Sequence, residues 1–365
     1  MLTPARIKIP KRKLTSLFKD NIKSAQAIHL TYVTDSEEGI TRVSGEKGPV
    51  YTFKGQAVTD EQILSRIKSL VLPPAWENVW ICASENGHLQ ATGTDTRKRK
   101  QYKYHPLWNA LRNQTKFQHL HEFGAALPAI RKQLQKDISK QGLPVEKVLA
   151  TMVSIMQCTC IRAGNAQYEQ LYGSFGITTL KDKHVHIQGA AMKFTFKGKK
   201  GVHHDIDLKS KRLANIVQQC KDIPGKELFQ YYDDNGQRHP VDSGMLNNYI
   251  KEISGGPFTA KDFRTWAGTL HAIEAFKELG CDDLTESDTK KNIVKALDMV
   301  ALQLGNTRNV CKKYYVHPSV IALYSSHTFA KFLIAADCDK NTSLSPEEHV
   351  LMHILEDKGP VSIAV

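Results

Sequence analysis

Arginines and lysines beside glycines mark two segments of this sequence as candidates for chemistry. Arg162 lies in segment 161–165 (IRAGN), where a glycine lets the chain turn, and segment 194–201 (FTFKGKKG) ends in a glycine-flanked turn with two lysines. A guanidinium binds a phosphate through two parallel hydrogen bonds and keeps its charge, and a lysine in such a turn can be pressed against a phosphate. Each feature alone is equally typical of a surface arginine or a solvated hairpin tip.

A third segment adds an arginine and, farther along, a pair of tyrosines. Segment 258–266 (FTAKDFRTW) carries Arg264 in the early turns of a predicted helix, and segments 304–307 (LGNT) and 312–316 (KKYYV) follow it. Phosphoryl transfer without a metal needs cations for the phosphate oxygens, a nucleophile, and an acid for the leaving oxygen. A free tyrosine titrates at about pH 10, so a nucleophilic one needs cations or a base nearby. The two tyrosines are equally suited to positioning a phosphate.

The sequence lacks the motifs of several commoner chemistries. It has no P-loop, no G-x-S-x-G, no H-E-x-x-H and no paired C-x-x-C. His203 and His204 lie in a predicted strand, where neighbouring side chains face opposite ways, so we do not expect them to share a metal. Cys158 and Cys160 have no second pair at zinc spacing. No acidic cluster is patterned for two-metal cleavage, so the sequence predicts neither a metal nor a cofactor.

The composition favours a polyanionic partner. The 365 residues include 50 Lys and Arg against 37 Asp and Glu, which gives a net charge of +13. Such an excess attracts nucleic acid, and the length suits two domains. Seven scattered cysteines are typical of free thiols in a reducing compartment. The N-terminal stretch is basic without an apolar core, and no apolar run is long enough to span a membrane, so we expect a soluble intracellular protein.

The N-terminal part is predicted to be small, mixed and rich in β-structure. A helix is expected at 59–70, ended by two consecutive prolines, and short strands are expected at 28–35, 40–45, 49–55, 79–84 and 88–95. A basic run with interleaved tyrosines follows, and we predict it to be a hinge that contacts DNA. Its candidate DNA-binding residues are Arg97, Lys98, Arg99, Lys100, Tyr102 and Lys103. The predicted domains are 1–104, which clamps DNA and ends in this hinge, and 105–365.

The C-terminal part is predicted to be larger and mainly α-helical, with one β-excursion. A short antiparallel sheet is expected between 184 and 208, with 198–201 as a turn. Helices are expected at 107–122, 128–139, 145–160, 243–253, 260–279, 286–304, 318–336 and 345–356. The predicted fold class is therefore α+β.

Taken together and in order, these segments resemble the type IB DNA topoisomerases, specifically their compact bacterial and poxvirus-like branch. The motifs run through nearly the whole chain: LPPAW (72–76), QATGTDTRKRKQYKYHP (90–106), IRAGN (161–165), YGSFGITTLKDKHV (172–185), FKGKKG (196–201), FTAKDFRTWAGT (258–269) and LGNTRNVCKKYYVHP (304–318). Each motif is weak alone, but seven in the right order are specific. The resemblance implies the catalytic fold that tyrosine recombinases share with these topoisomerases.

The resemblance also implies roles for residues at matching positions. Arg162 and Arg264 look like the two arginines that bind the non-bridging phosphate oxygens. Lys199, with Lys200 as the weaker alternative, looks like the hairpin lysine that protonates the departing 5′ oxygen. Asn306 falls where many members carry histidine; an amide can donate a hydrogen bond to the phosphate but cannot carry a proton.

Tyr315 matches the nucleophile of the family. Tyr314 is the adjacent rival, but the following Val-His-Pro sets the register that selects Tyr315. Tyr168 matches a family position near the phosphate, and Lys261 is placed among the DNA contacts. The implied reaction is attack of Tyr315 on a backbone phosphate, which forms a 3′-phosphotyrosyl bond and releases a 5′-hydroxyl strand. Relaxation of double-stranded DNA would then need neither ATP nor metal.

Two alternatives stay open. A tyrosine recombinase or integrase shares the catalytic design, but recombinases usually carry histidine three residues before the second arginine, where this chain has Lys261. The N-terminal LPPAW motif also belongs to the topoisomerases. A non-catalytic DNA-binding protein is the other alternative, although all five catalytic positions are filled. We expect a monomer in the cytoplasm, associated with the nucleoid and with no membrane contact, whose affinity for DNA falls steeply with salt.

Overall fold

The structure, a computed structural model, describes residues 6–9, 17, 20–45, 48–233, 235–281, 284–336, 343–356 and 361–364. Most of the basic N-terminal stretch and Cys338 lie outside the described residues. The chain divides into two compact units, Met1–His119 with Lys358–Val365, and Leu120–Asp357. The domain boundary at 104/105 stays a prediction, because compactness alone does not define a part that folds by itself.

The first unit is built on a six-stranded antiparallel sheet with the order β4-β3-β2-β5-β6-β7. Its strands are β2 (Gly39–Gly45), β3 (Gly48–Phe53), β4 (Gln56–Ala57), β5 (Glu77–Cys82), β6 (Leu89–Thr94) and β7 (Lys100–Tyr104). Four of the five strands predicted here are present. A separate antiparallel pair joins β1 (Arg6–Ile9) to β13 (Val361–Ala364).

One helix covers a face of this sheet. Helix α2 (Glu61–Ser69) begins at Asp60, whose carboxylate accepts hydrogen bonds from the Gln62 and Ile63 amides at 2.8 and 3.1 Å. Such a cap satisfies amides that have no partner within the helix. Ile67, on the inner side of α2, is buried in a cluster with residues of β2, β5 and β6. The helix predicted at 59–70 is therefore confirmed.

The strand predicted at 28–35 is wrong. Only Thr31 forms a bridge there, and the preceding residues form helix α1 (Asn21–Gln26). The apolar side chains of the segment pack into a core without a strand ladder: Ile28 and Leu30 are buried beside Trp108. The Val33 amide donates to His88 Nδ1 at 3.1 Å. In this irregular segment, buried apolar residues alternate with exposed ones much as they do in a strand, and the pattern is therefore misleading.

The basic run predicted as a hinge is instead a tight turn followed by the edge strand β7. The Lys98 amide donates to the Asp95 carbonyl at 2.8 Å, and β7 pairs antiparallel with β6 from Lys100 to Tyr104. Charged side chains on an edge strand discourage pairing with other chains. The density of lysine and arginine thus marks a sheet edge.

The second unit is mainly helical. Helix α3 (Pro106–Ile138) begins in the first unit and continues into the second. The helices that follow it are α4 (Val145–Thr159), α5 (Ala166–Tyr172), α6 (Lys211–Lys221), α7 (Ser243–Ser254), α8 (Ala260–Leu279), α9 (Glu286–Leu304), α10 (Arg308–Tyr314), α11 (Pro318–Ser325), α12 (Ala330–Ala336) and α13 (Pro346–Glu356). Helix α4 is apolar on most faces and packs against α6, α7 and α8, which makes it the central helix.

A three-stranded antiparallel sheet with the order β10-β9-β8 interrupts the helices, as predicted. Its strands are β8 (Val185–Gln188), β9 (Ala191–Lys197) and β10 (His203–Lys209). Met192, Phe194 and Phe196 alternate with exposed residues along β9 and bury one face of the sheet. Residues 198–202 turn the chain from β9 to β10. A smaller hairpin, β11 (Gln230–Tyr232) with β12 (Arg238–Pro240), was not predicted.

Two helix predictions differ from the structure. The helices predicted at 107–122 and 128–139 are one helix, α3, which continues through Pro128. Proline removes one helical hydrogen bond, but the flanking Phe123, Leu127 and Ile130 are fully buried, so packing outweighs that loss. The helix predicted at 318–336 is two helices, α11 and α12, because the chain turns at 326–329, where His327 adopts a φ of 55°. The α+β class is confirmed.

A buried carboxylate ties α13 to α8. Glu348 is 3% exposed and accepts hydrogen bonds from both Arg131 terminal nitrogens, at 2.7 and 2.8 Å. Trp266 Nε1 donates to it at 3.0 Å, and the Ser345 amide at 2.9 Å. Burial raises the pKa of Glu348, but these donors lower it more, so the net pKa lies below the usual value. Trp266 follows Arg264 by two residues, so this anchor steadies the helix that carries Arg264.

Candidate active site

Arg162 is held by a loop that follows the central helix. Helix α4 ends at Thr159, and Cys160 turns the chain with a φ of 56°. The Arg162 carbonyl accepts from the Ile177 amide at 2.8 Å, which fixes the loop backbone. From there the guanidinium donates to Asn306 Oδ1 at 2.9 Å and to the Gly305 carbonyl at 3.3 Å. The loop therefore brings the first arginine to the predicted asparagine.

Arg264 lies in the first turns of α8 and is only 4% exposed. Its two terminal nitrogens donate to the carbonyls of Cys160 and Leu304, the latter at 2.8 Å. It therefore ties together the end of α4, the start of α8 and the end of α9. Its guanidinium carbon lies 5.3 Å from the centre of the Tyr315 ring. Among the described residues, no hydrogen-bond acceptor meets its Nε.

Asn306 follows the end of α9, where Gly305 adopts a φ of 55°. The oxygen of its side chain must face Arg162, because a guanidinium has only donors. The amide nitrogen then points the other way, and it is buried without a hydrogen-bond partner in the described part of the chain. The site therefore contains two buried donors with unused hydrogen bonds, Arg264 Nε and Asn306 Nδ2. Buried donors of this kind are rare and call for a ligand or water.

Tyr315 stands directly after α10, and its backbone rests on α8. The Thr269 hydroxyl shares its hydrogen between the Thr265 carbonyl at 2.9 Å and the Tyr315 carbonyl at 3.1 Å, and it accepts from the His317 amide at 3.2 Å. Gly268 provides the space, because a Cβ there would lie 3.0 Å from both Cβ and O of Tyr315. Sequence reasoning included Gly268 and Thr269 in a motif but gave them no role. We call these two residues the tyrosine seat.

The two tyrosines differ in environment. Tyr315 is half-buried beside Arg264, whereas Tyr314 is 38% exposed with Lys313 Nζ 5.2 Å from its ring centre. Burial raises the pKa of Tyr315, but the charges of Arg264 and Arg162 outweigh it, so the net pKa lies below the ordinary value. The cations therefore favour the phenolate at Tyr315.

The arginines in turn repel each other. Burial lowers the pKa of Arg162, and the charge of Arg264 lowers it further. Two like charges in a half-buried site raise the local positive potential, which an anion would relieve. The charges therefore suit a negatively charged ligand beside the arginines and Tyr315.

Lys199 and Lys200 are both exposed in the turn between β9 and β10. The turn is closed by the Gly198 amide, which donates to the Val202 carbonyl at 2.7 Å, and Lys200 adopts a φ of 62°. Both lysines share this turn and this exposure, so the choice of Lys199 over Lys200 stays a prediction. His204, on the strand that follows this turn, places its ring against Gly198 and Gly305, a contact that the sequence did not indicate.

The predicted DNA contacts fall in two groups. In the second unit, Tyr168 lies exposed on α5 and Lys261 lies exposed one turn before Arg264. In the first unit, three residues of the basic run form ion pairs: Lys98 with Glu77 at 2.6 Å, Arg99 with Asp95 at 2.6 Å and Lys100 with Asp35 at 2.5 Å. Arg97, Tyr102 and Lys103 are exposed. Part of the charge of the run is thus already used within the sheet.

Among the described residues, no group of three or more His, Cys, Asp or Glu side chains could hold a metal ion. In the same part of the chain, no helix has the length and apolar character needed to cross a membrane.

Comparison with known proteins identifies the class. A profile of the eukaryotic DNA topoisomerase I catalytic core matches residues 97–333, and one of the bacterial DNA topoisomerase IB N-terminal domain matches residues 51–95. DNA topoisomerase 1B of Acanthamoeba polyphaga mimivirus is 32% identical over 80% of this chain and 88% of its own length. DNA topoisomerase 1B of vaccinia virus (strain Western Reserve) is 22% identical over 69% of this chain and 77% of its own length.

Together these matches define a DNA topoisomerase, an enzyme of the isomerase class, with a catalytic core and a separately recognisable N-terminal domain. The chain belongs to the type IB DNA topoisomerase family. This confirms the predicted family, and it favours a topoisomerase over a recombinase.

Proposed function

We propose that this topoisomerase cuts one strand of duplex DNA through Tyr315 and holds the cut end as a 3′-phosphotyrosyl ester. The observation that carries the proposal is the pair of unused buried donors, Arg264 Nε and Asn306 Nδ2, beside a half-buried tyrosine. A phosphate group offers acceptors to both donors at once. Arg162 would bind the same phosphate while it keeps Asn306 oriented.

The charges around the site support the same assignment of roles. The transition state gathers negative charge on the non-bridging oxygens, and fixed cations in a site of low dielectric stabilise it without reorganising. Arg162 and Arg264 are anchored by backbone carbonyls of the protein itself, so their positions do not depend on contacts with DNA alone. The lowered pKa of Tyr315 makes the nucleophile easier to deprotonate.

Lys199 is proposed as the acid for the leaving oxygen. In cleavage, Tyr315 Oη loses its proton to solvent and forms a bond to phosphorus, while the bond from phosphorus to the 5′ oxygen breaks. The Lys199 ammonium gives a proton to that oxygen, which leaves as a hydroxyl. Resealing reverses each step, so the ester stores the energy of the broken bond and no ATP is consumed.

DNA binding is proposed to extend beyond the site. Tyr168 and Lys261 lie exposed near the start of α5 and α8, where they can meet the phosphates that flank the cut. Residues 1–104 are proposed to clamp the duplex, with Arg97, Tyr102 and Lys103 as exposed contacts. A single chain would suffice, because one chain supplies every proposed catalytic residue. We propose that the enzyme acts in the cytoplasm, in association with the nucleoid.

The test uses supercoiled plasmid with EDTA and without ATP. We expect relaxation of both positive and negative supercoils, and a covalent complex when detergent stops the reaction. The broken strand should carry a free 5′-hydroxyl, which polynucleotide kinase labels without prior phosphatase treatment, with protein on the 3′ end. Protein on the 5′ end, or a requirement for divalent metal, would contradict the proposal.

A further inference from the structure

His204 packs against the two turns that carry proposed catalytic residues. A Cβ on Gly198 would lie 2.6 Å from the His204 ring, and a Cβ on Gly305 would lie 2.4 Å from it. No side chain fits at such distances, so the ring touches the backbone of both turns. Gly198 precedes Lys199, and Gly305 precedes Asn306. One imidazole thus contacts both the turn of the proposed proton donor and the turn of the proposed phosphate ligand.

The ring is held in place from its own sheet. His204 on β10 pairs with Phe196 on β9, and the two rings stack with centres 4.9 Å apart and planes 22° apart. Phe196 is itself 5% exposed. His203, by contrast, is exposed on the opposite face of β10. The strand therefore presents one histidine to the site and one to solvent.

His204 is uncharged at neutral pH. Burial lowers its pKa to about 4, and the charges of Arg162 and Arg264 contribute to that decrease. A third cation beside the two arginines would repel them, so a neutral ring is compatible with the site. The ring can fill space between the two turns without competing for the phosphate.

We propose that His204 is a positioning residue that sets the distance between the Lys199 turn and the Asn306 turn. Because its ring contacts both backbones, it would keep the lysine ammonium within reach of the 5′ oxygen of the phosphate that Asn306 binds. The inference rests on the proposed role of Lys199 as the acid. The anchors of Arg264 and of the Tyr315 backbone do not involve the ring, so we expect its loss to impair delivery of the proton more than attack by Tyr315.

The test measures single-turnover cleavage by His204→Ala on two duplexes that contain a mapped cleavage site. One has the normal 5′ bridging oxygen and the other has sulfur, which leaves as a thiolate and needs no proton. On the oxygen duplex we expect a loss of about tenfold or more, since a general acid contributes roughly 10²–10⁴-fold. On the sulfur duplex we expect a rate within about twofold of the wild type, because no proton is required.

Controls separate this inference from the proposed function. Lys199→Ala should also be slow on oxygen and restored on sulfur, and the double variant should lose little more than Lys199→Ala. His203→Ala is the matched control and should behave as wild type. If His204→Ala unfolds at a lower temperature, His204→Gln takes its place with the same expectation.

The outcomes are distinct. A wild-type rate for His204→Ala on oxygen, or an equal loss on both duplexes, overturns the inference about His204. Failure of sulfur to restore Lys199→Ala overturns the role of the lysine instead.

Discussion

Replacing Gly268 by alanine tests whether the tyrosine seat positions the nucleophile. Gly268 lies on α8 one turn after Arg264, and an added Cβ would lie 3.0 Å from Tyr315 Cβ, 3.0 Å from Tyr315 O and 2.9 Å from Leu304 Cδ1. The Leu304 methyl can rotate away. The Tyr315 backbone cannot move freely, because Thr269 holds its carbonyl. The added methyl must therefore displace the nucleophile.

The size of the effect follows from these distances. Restoring an ordinary contact of 3.4 Å from 3.0 Å needs a shift of roughly 0.4 Å in the Tyr315 backbone. Since a misplacement of ~1 Å costs ~10²-fold in rate, we expect cleavage to slow about fivefold to tenfold. Stability should change less: helix propensity favours alanine by about 1 kcal/mol, and overpacking costs about 1–3 kcal/mol, for a net loss of roughly 0–2 kcal/mol.

The assay is single-turnover cleavage with enzyme in excess, together with thermal unfolding and DNA binding. Ala267→Gly is the matched control, because it changes helix propensity by a similar amount at the neighbouring position without adding an atom near Tyr315. We expect the control to lose stability and keep its cleavage rate. If Gly268→Ala folds and cleaves like the wild type, the seat does not position the nucleophile and the reasoning fails.

Four further predictions follow from the same contacts. Asn306→Ala should slow cleavage by about 10²-fold, as for other lost oxyanion donors, with DNA binding unchanged in a filter assay. The cleavage rate should rise with pH to a plateau set by Tyr315, and Arg264→Gln should move that rise to higher pH, because the cation lowers the tyrosine pKa. Glu348→Gln should lower the free energy of unfolding in urea by roughly 1–3 kcal/mol, because Arg131 is one-third exposed and stays hydrated. Wild-type stability should fall below about pH 4.3, because a carboxyl whose pKa is lowered in the fold stabilises it only above the unfolded value. Lys103→Ala should reduce the salt slope of DNA binding by about 1, whereas an unchanged slope would mean that it faces only water.

The sequence predicted the parts of this fold in which local pattern and tertiary packing agree. Helices α8 and α9 were predicted at their observed bounds because their apolar faces repeat at helical spacing. The strand predicted at 28–35 was wrong, and the break at 326–329 was missed, for the opposite reason. There, contacts with distant residues such as His88 decide the backbone, and no local pattern records them.

The candidate site divides in the same way. Arg162, Arg264, Asn306 and Tyr315 were named from ordered motifs, and the structure brings them together. The tyrosine seat and His204 were missed, because their importance depends on distances across the fold between residues remote in the chain. The ion pairs of Lys98 and Lys100 were equally hidden, since their acidic partners lie far away in sequence. A dense basic run therefore overstates the charge available to DNA.

The central claim is that Tyr315 is the nucleophile, and mapping the covalent adduct tests it most directly. DNA trapped on the enzyme is digested with nuclease and trypsin, and the peptide 314–331, which contains both candidate tyrosines, is fragmented in a mass spectrometer. We predict a nucleotide on Tyr315, an adduct with Tyr314→Phe, and none with Tyr315→Phe. A nucleotide on Tyr314, or an adduct formed by Tyr315→Phe, would contradict the account.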